Sequence, residues 1–219
     1  LMSVPYALYA KTSGNGAGPI GPQGPAGADG QGGVTTAGTN VTITGAGTGL
    51  DPYVVNAGTC GLSIGDTYQG GIIFYLDATG CHGLIAAPSD QSTGIQWYNG
   101  SYSVTNAVRD GIGAGEFNTE RIIANQATGA YAAQICANYQ GGNYGDWYLP
   151  SKYELNLMYL SIGQGNALGL GNVGGFANNV YWSSTEVDYY NAWFQSFNDG
   201  NQYFYFKLTN YYVRAVRAF

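Results

Sequence analysis

Between Glu186 and Asn201 the chain reads EVDYYNAWFQSFNDGN, so that carboxylates and amides are interleaved with large aromatic rings. Rings stack on the flat faces of sugars while short amides and carboxylates meet hydroxyls, which is the mixed lining a small polar ligand requires. The candidate binding residues are therefore Glu186, Asp188, Tyr189, Tyr190, Trp193, Asn198, Asp199 and Asn201, on loops at a sheet edge. The same acids are oxygen ligands of the kind Ca2+ prefers, but Asn198-Asp199-Gly200 is already explained as a hairpin turn, and no metal is assigned. Trp193 alternates with residues that face a core, so burial competes with a binding role there. The Gly-rich stretch from Ser161 to Asn179 is the other place where a binding face could vary without disturbing packing.

Catalysis has little to work with. His82 stands alone, with no second histidine and no GxSxG setting for a nucleophile, and it reads as a hydrogen-bonding partner within a hairpin. Glu154 is explained as a helix cap. Cys60, Cys81 and Cys136 show no metal-ligand spacing. Three cysteines allow one intrachain bridge and one leftover, and spacing does not choose the pair. Cys81 in a turn and Cys60 at a domain boundary are the better placed for oxidation outside the cell, whereas Cys136 falls in a helix where a small apolar group suffices. The expectation is a protein that is not an enzyme and carries no cofactor.

Charge narrows the partners. The seven Lys and Arg residues are scattered singly in a chain of net charge -6, so there is no basic stripe for nucleic acid and no patch for an anionic membrane. No run of 18 apolar residues is present, so no transmembrane segment is expected. Leu1 to Ala10 lacks the basic leader and long apolar run of a signal peptide, and a chain opening on Leu reads as a fragment.

The elements that must position these residues follow from periodicity. IIFYL (72–76) and HGLIAA (82–87) flank the turn Asp77-Ala78-Thr79-Gly80 and predict a β-hairpin. Residues 88–118 read as loop, with Trp97, Tyr98 and Asn99-Gly100 folding back on the sheet. Tyr131, Ile135 and Tyr139 are spaced by four and predict a helix over 130–139. In PSKYELNLMYL, Ser151 and Glu154 form a capping box ahead of the stripe Leu155, Met158, Tyr159. From Val180 the pattern turns to strands: VYWSSTE, NAWFQSF, QYFYFKL and YYVRAVRAF, with Tyr203, Tyr205 and Lys207 opposing Phe204, Phe206 and Leu208. A sheet with tyrosines on one face has either a second packing surface or an aromatic binding surface.

The first 59 residues differ in kind, holding three aromatics (Tyr6, Tyr9, Tyr53) against fourteen in the last 39. Glycine occupies 18, 21, 24, 27, 30 and 33, with proline directly after it at 19, 22 and 25. Strict third-residue glycine is the signature of three chains wound about an axis where only hydrogen fits. Five triplets cannot hold three chains together alone, so the flanks must trimerise. LMSVPYALYAKTS offers an apolar cap, and VTTAGTNVTITGAGTGLDPYVV reads as short strands of an intertwined β element.

The segments GGIIFYLDATG, HGLIAAPSDQ, IQWYNG, WYLPSKYELNLMY, YWSSTE, NAWFQSF and YVRAVRAF, in that order, resemble the C-terminal domain of bacterial collagen-like surface proteins typified by the Legionella collagen-like adhesin, over about Gly65 to Phe219. VPYALYAKT and DPYVV are similar to pieces of secreted or cell-surface Bacteroidetes proteins and of fibre-like proteins. The resemblance implies an α+β, distantly C-type-lectin-like head domain and a trimeric adhesin. The characterised relative binds sulfated glycosaminoglycans, which need a positive field this acidic chain lacks, so a neutral glycan or a host or matrix surface is expected instead. The expected architecture is a trimerising segment at 1–17, a collagen-like triple-helical stalk at 18–33, a β-rich trimeric connector at 34–59 and the head at 60–219. Its partners are two identical chains, a glycan or surface ligand, and export or surface-anchoring machinery, at an extracellular or cell-surface location. The alternative is a structural subunit of a surface appendage or phage-type fibre.

Overall fold

The computed structural model describes residues 41–46, 48–57 and 60–219. The expected trimerising segment at 1–17, the glycine triplets at 18–33 and the opening of the connector lie outside the described residues. The chain divides between Asn56 and Ala57 into two units.

In the first unit, β1 (Val41–Thr44) pairs with β2 (Val54–Ala57) in a two-stranded sheet. The connection is closed by Asp51, whose carboxylate accepts the Ala46 N–H at 2.9 Å, and by Thr48, whose hydroxyl accepts the Asp51 N–H at 3.0 Å. Gly45 has φ +91° and lies where a Cβ would strike the Pro52 carbonyl oxygen, so the bend requires glycine. Leu50, Tyr53, Val54 and Val55 are all exposed.

The second unit is a mixed α+β domain, mostly sheet. One sheet has the order β11-β5-β4-β3, built from β3 (Thr67–Tyr68), β4 (Gly71–Leu76), β5 (Gly83–Ala86) and β11 (Val216–Ala218). The other has the order β6-β10-β7-β8-β9, from β6 (Ser92–Ile95), β7 (Val180–Glu186), β8 (Asn191–Ser196), β9 (Gln202–Phe206) and β10 (Tyr211–Val213). Period-two alternation sends neighbouring residues to two cores. Ile73, Ile85 and Trp182 join Trp97, Ile122, Trp147 and Val213 in one cluster; Phe74, Leu84 and Tyr181 join Leu155, Met158, Ile162 and Phe197 in the other. The predicted hairpin over 72–87 is β4–β5, and Cys60–Cys81 bridges its turn to the start of the domain while Cys136 stays free and buried.

Three α-helices complete the described domain. Helix α3 (Lys152–Ile162) starts at the expected capping box, with the Glu154 N–H donating to Ser151 Oγ at 3.2 Å and the Ser151 N–H to Glu154 Oε2 at 2.8 Å. Its buried stripe is Leu155, Met158 and Ile162, with Tyr159 only half-buried against Phe197. The helix expected over 130–139 shrinks to α2 (Ala132–Ala137): Tyr131 is its extended N-cap and fully buried, so its ring belongs to the core rather than to a helical face.

The region read as loop over 88–118 hides β6 and the start of α1 (Ala114–Gln126). Helix α1 has no apolar stripe, since its buried positions are Ala114, Gly115, Asn118, Thr119, Ile122 and Gln126. Its polar groups are satisfied from elsewhere: Asn118 exchanges bonds with the Arg109 backbone, and Thr119 with Leu149. Nor has it a capping side chain of its own, because Gly113 at φ +75° is the N-cap. Glu154 of α3 accepts the Gly113 N–H at 2.7 Å and the Gly115 N–H at 3.2 Å instead, so one buried carboxylate caps two helices.

Candidate functional site

The eight residues singled out in the sequence fall into separate places, because β8 runs between them. A strand of six residues spans about 17–20 Å, which sets the Asp188 end apart from the Asp199 end.

At the first end, the β7–β8 turn is fixed by Asp188, whose Oδ1 accepts the Tyr190 and Asn191 N–H groups, each at 2.8 Å, and the Asn191 amide at 3.0 Å. The Asn191 side chain, with those backbone donors, holds the Asp188 carboxyl below the usual carboxylate range. The turn presents Tyr189 and Tyr190, 43% and 52% exposed, with ring centroids 4.7 Å apart. Tyr102 approaches them at 5.9 and 5.3 Å and stacks in turn on Tyr98 at 4.7 Å.

Under these rings lies a buried ion pair. Lys207 Nζ donates to Glu186 Oε1 at 2.6 Å, to the Ser103 carbonyl at 3.0 Å and to the Tyr189 carbonyl at 3.2 Å. The Glu186 carboxylate also accepts the Thr105 and Asn106 N–H groups at 2.8–3.0 Å. Burial pulls the Lys207 pKa down, against the opposing pull of Glu186. Glu186 is therefore not a surface ligand group: it is 4% exposed and its oxygens are engaged. It fastens the Tyr102 loop, the β7–β8 turn and the end of β9 to one point. Thr105 and Asn106 go on to line a shallow cleft of about 240 Å³ with Arg121, Ala124 and Asn125.

At the other end, Asp199 Oδ1 accepts the Asn201 N–H at 3.0 Å and Oδ2 the Tyr203 hydroxyl at 3.3 Å. The Asn201 backbone donor leads the causes that hold its carboxyl down at about 2. Gly200 sits at φ +76° with the Tyr159 ring 2.6 Å from where a Cβ would be, which closes the turn onto α3. Asn198 and Asn201 are exposed beside it. Trp193 belongs to neither end. It is half-buried in mid-strand, edge-on to Phe204 at 5.5 Å and capped by Lys152 at 4.6 Å.

Four of the six Lys and Arg residues of the domain are ion-paired. Lys207, Arg214, Arg217 and Lys152 pair with Glu186, Asp90, Asp146 and Asp110 respectively. Arg109 and Arg121 lie over the Phe117 ring at 3.4 and 5.7 Å. His82 is exposed, with Nδ1 3.5 Å from Asp77 at the hairpin turn. Among the described residues no group of three or more His, Cys, Asp or Glu is arranged to hold a metal.

Sequence reasoning missed Tyr102, Asn106, Arg121 and Asn125. Tyr102 lies 87 positions before Tyr189, and the Glu186–Lys207 pair, bonded to the Thr105 N–H and to the Ser103 and Tyr189 carbonyls, brings the two together. The one available signal was the aromatic density of WYNGSY, which marks a segment that folds back on the sheet.

The site thus sits on an α+β domain with two hydrophobic cores and a cluster of half-exposed tyrosines at one end of β8. The chain belongs to the Lcl C-terminal domain family, whose model matches residues 87–217. That is the C-terminal domain of the Legionella collagen-like protein, which places the chain with collagen-like surface proteins, a family not known for enzymatic activity. No curated protein matches the chain. Among the described residues no helix is long and apolar enough to cross a membrane.

Proposed function

We propose that this chain is a trimeric adhesin of the cell surface or extracellular space whose heads engage a neutral glycan through the Asp188 end of β8. The observation that carries this is the half-exposed pair Tyr189 and Tyr190, braced by Tyr102 and fastened from below by Glu186 and Lys207. Rings held rigidly bind with little ordering cost, and the cleft of Asn106, Arg121 and Asn125 beside the same loop adds polar partners. Asp188 edges that surface; Asn198, Asp199 and Asn201 form a second, weaker patch at the far end of the strand, Trp193 lies mid-strand between the two, and Glu186 is a positioning residue. A net charge of -6, with four of the domain's six cations ion-paired and Arg109 and Arg121 exposed, favours an uncharged ligand over a sulfated one.

Trimerisation has two supports: glycine at every third position through 18–33, and a β1–β2 hairpin that exposes Leu50, Tyr53, Val54 and Val55. A two-stranded hairpin with its apolar groups in water is marginal alone. We therefore assign 1–17 to trimerisation, 18–33 to a triple helix roughly 45–50 Å long at about 3.1 Å per residue, 34–59 to an intertwined connector and 60–219 to a C-type-lectin-like head. Three heads convert a weak site into an avid one, with export or surface-anchoring machinery delivering the assembly. The competing reading, a structural fibre subunit, draws on the exposed aromatic strand β9.

A glycan array probed with the intact chain separates the two, since a purely structural role gives no saturable binding. Calorimetry on array hits then locates the site. Tyr189→Ala is expected to weaken binding about five- to tenfold and Asp199→Ala to change it little; the reverse order would move the site to the far end of β8, and no change in either would move it to the Gly-rich loop over 161–179.

A further inference from the structure

Strand β9 ends the order β6-β10-β7-β8-β9 and carries Tyr203, Phe204, Tyr205 and Phe206, 46%, 53%, 49% and 47% exposed, followed by Leu208 at 47%. The rings project from both faces, since consecutive strand residues alternate. Four half-exposed rings leave roughly 300–500 Å² of mostly apolar surface in total, divided between the two faces of the edge strand.

The backbone of this edge is equally unguarded. The bonds Lys207 N–H to the Tyr190 carbonyl and Ser196 N–H to the Asn201 carbonyl fix the phase of the β8–β9 ladder. Residues 201, 203, 205 and 207 therefore bond inward, and Gln202 and Phe204 turn their N–H and C=O groups outward. Soluble proteins blunt such an edge with charge, proline or a bulge. Here the register with β8 is continuous, no proline is present, and the nearby cation, Lys207, is turned into the core.

We infer that the β9 edge is the surface by which each head packs against a second copy of this chain. The inference rests on the trimeric part of the reading above. A sugar would use one or two of these rings and would leave the outward row of backbone groups unmatched, whereas a protein surface covers both. The copy is the occupant because the glycine triplets and the β1–β2 hairpin both need neighbouring chains. Chains joined there meet at high effective concentration, so the edge is covered without needing strong affinity of its own. In a closed ring of three the contact is head-to-tail, with β9 of one copy docked on a different face of the next.

The test is site-specific photo-crosslinking in the full chain, with p-benzoylphenylalanine at Phe204 and, as a control on α1, at Glu120. Position 204 should give covalent two- and three-chain species several-fold above position 120, and Phe206→Lys in the same chain should suppress them while near-ultraviolet circular dichroism is retained. If the mass of the intact chain is that of a monomer, this inference falls together with the trimeric reading. If the chain is a trimer and position 204 yields no interchain product, or no more than position 120, the inference alone is overturned. Because the crosslinking at 204 and 120 is measured with Phe206 in place, the comparison decides the matter even if the Phe206→Lys chain does not fold.

Discussion

Strands β7 and β9 lie two places apart in one sheet, with β8 between them, and both are rich in aromatic residues. Yet β7, VYWSSTE, is buried along nearly its whole length, including its serines, threonine and glutamate, while QYFYF of β9 is half in water. Burial here follows the supply of partners more closely than it follows hydrophobicity. Ser183 donates to the Trp193 carbonyl at 2.8 Å, Thr185 Oγ1 accepts the Lys152 N–H at 3.0 Å, and Glu186 meets Lys207 and two backbone N–H groups. A buried polar group costs little once it is bonded. The rings of β9 are exposed because, among the described residues, no strand lies beyond the edge to cover them.

The largest effect should come from breaking the point where the two strands meet. Lys207→Ala leaves the Glu186 carboxylate buried without its cation, and removal of one partner of a buried pair costs about 3–5 kcal/mol. Urea unfolding should show that loss as a shifted midpoint; a change below about 1 kcal/mol would mean that water reaches the pair. Next, Ser183→Ala removes the hydroxyl's hydrogen bond to the Trp193 carbonyl, which keeps its place in the β7–β8 ladder, and should cost about 0.5–1.5 kcal/mol by the same measurement. Phe204→Ser on β9 removes a half-exposed ring and should alter the unfolding of an isolated head by roughly 0.5 kcal/mol or less. In the assembled chain its effect should appear in association instead, which sedimentation would read.

Much of this contrast was legible in the sequence. Alternation located β7, β8, β9 and the β4–β5 hairpin, and the Ser151–Glu154 box located the start of α3. Helix α1 was not legible, because its buried face is Ala, Gly, Asn, Thr and Gln around a single isoleucine and its N-terminal cap is donated by Glu154, some 40 positions away. The candidate site was read in part. The residues from 186 to 201 do flank one strand, but a linear pattern does not show that six strand residues hold its ends apart, nor that Glu186 turns inward to Lys207. Edge position was invisible as well: Tyr203 and Tyr181 carry the same side chain, and only sheet order makes one a surface and the other a core.

The smallest effect separates the two ends of β8 by pH. Asp199 is held at about 2, chiefly by the Asn201 N–H, against about 3.9 for a free aspartate. A depressed carboxyl contributes stability that is fully present above its unfolded value and is lost as pH falls through the folded one. The β8–β9 turn should therefore loosen between about pH 4 and 2, seen as faster hydrogen exchange at the Asn201 amide relative to that at Asn191, once the intrinsic pH dependence is divided out. The Asp188 turn is also held low, but by the Asn191 side chain first, with the Lys207 charge assisting. Asp199→Asn should flatten the change at Asn201 and leave Asn191 untouched, because the two turns share no hydrogen-bonding partner. Coupled exchange at both amides would instead show the hairpin opening as one unit, with β9 peeling from β8 before either turn titrates.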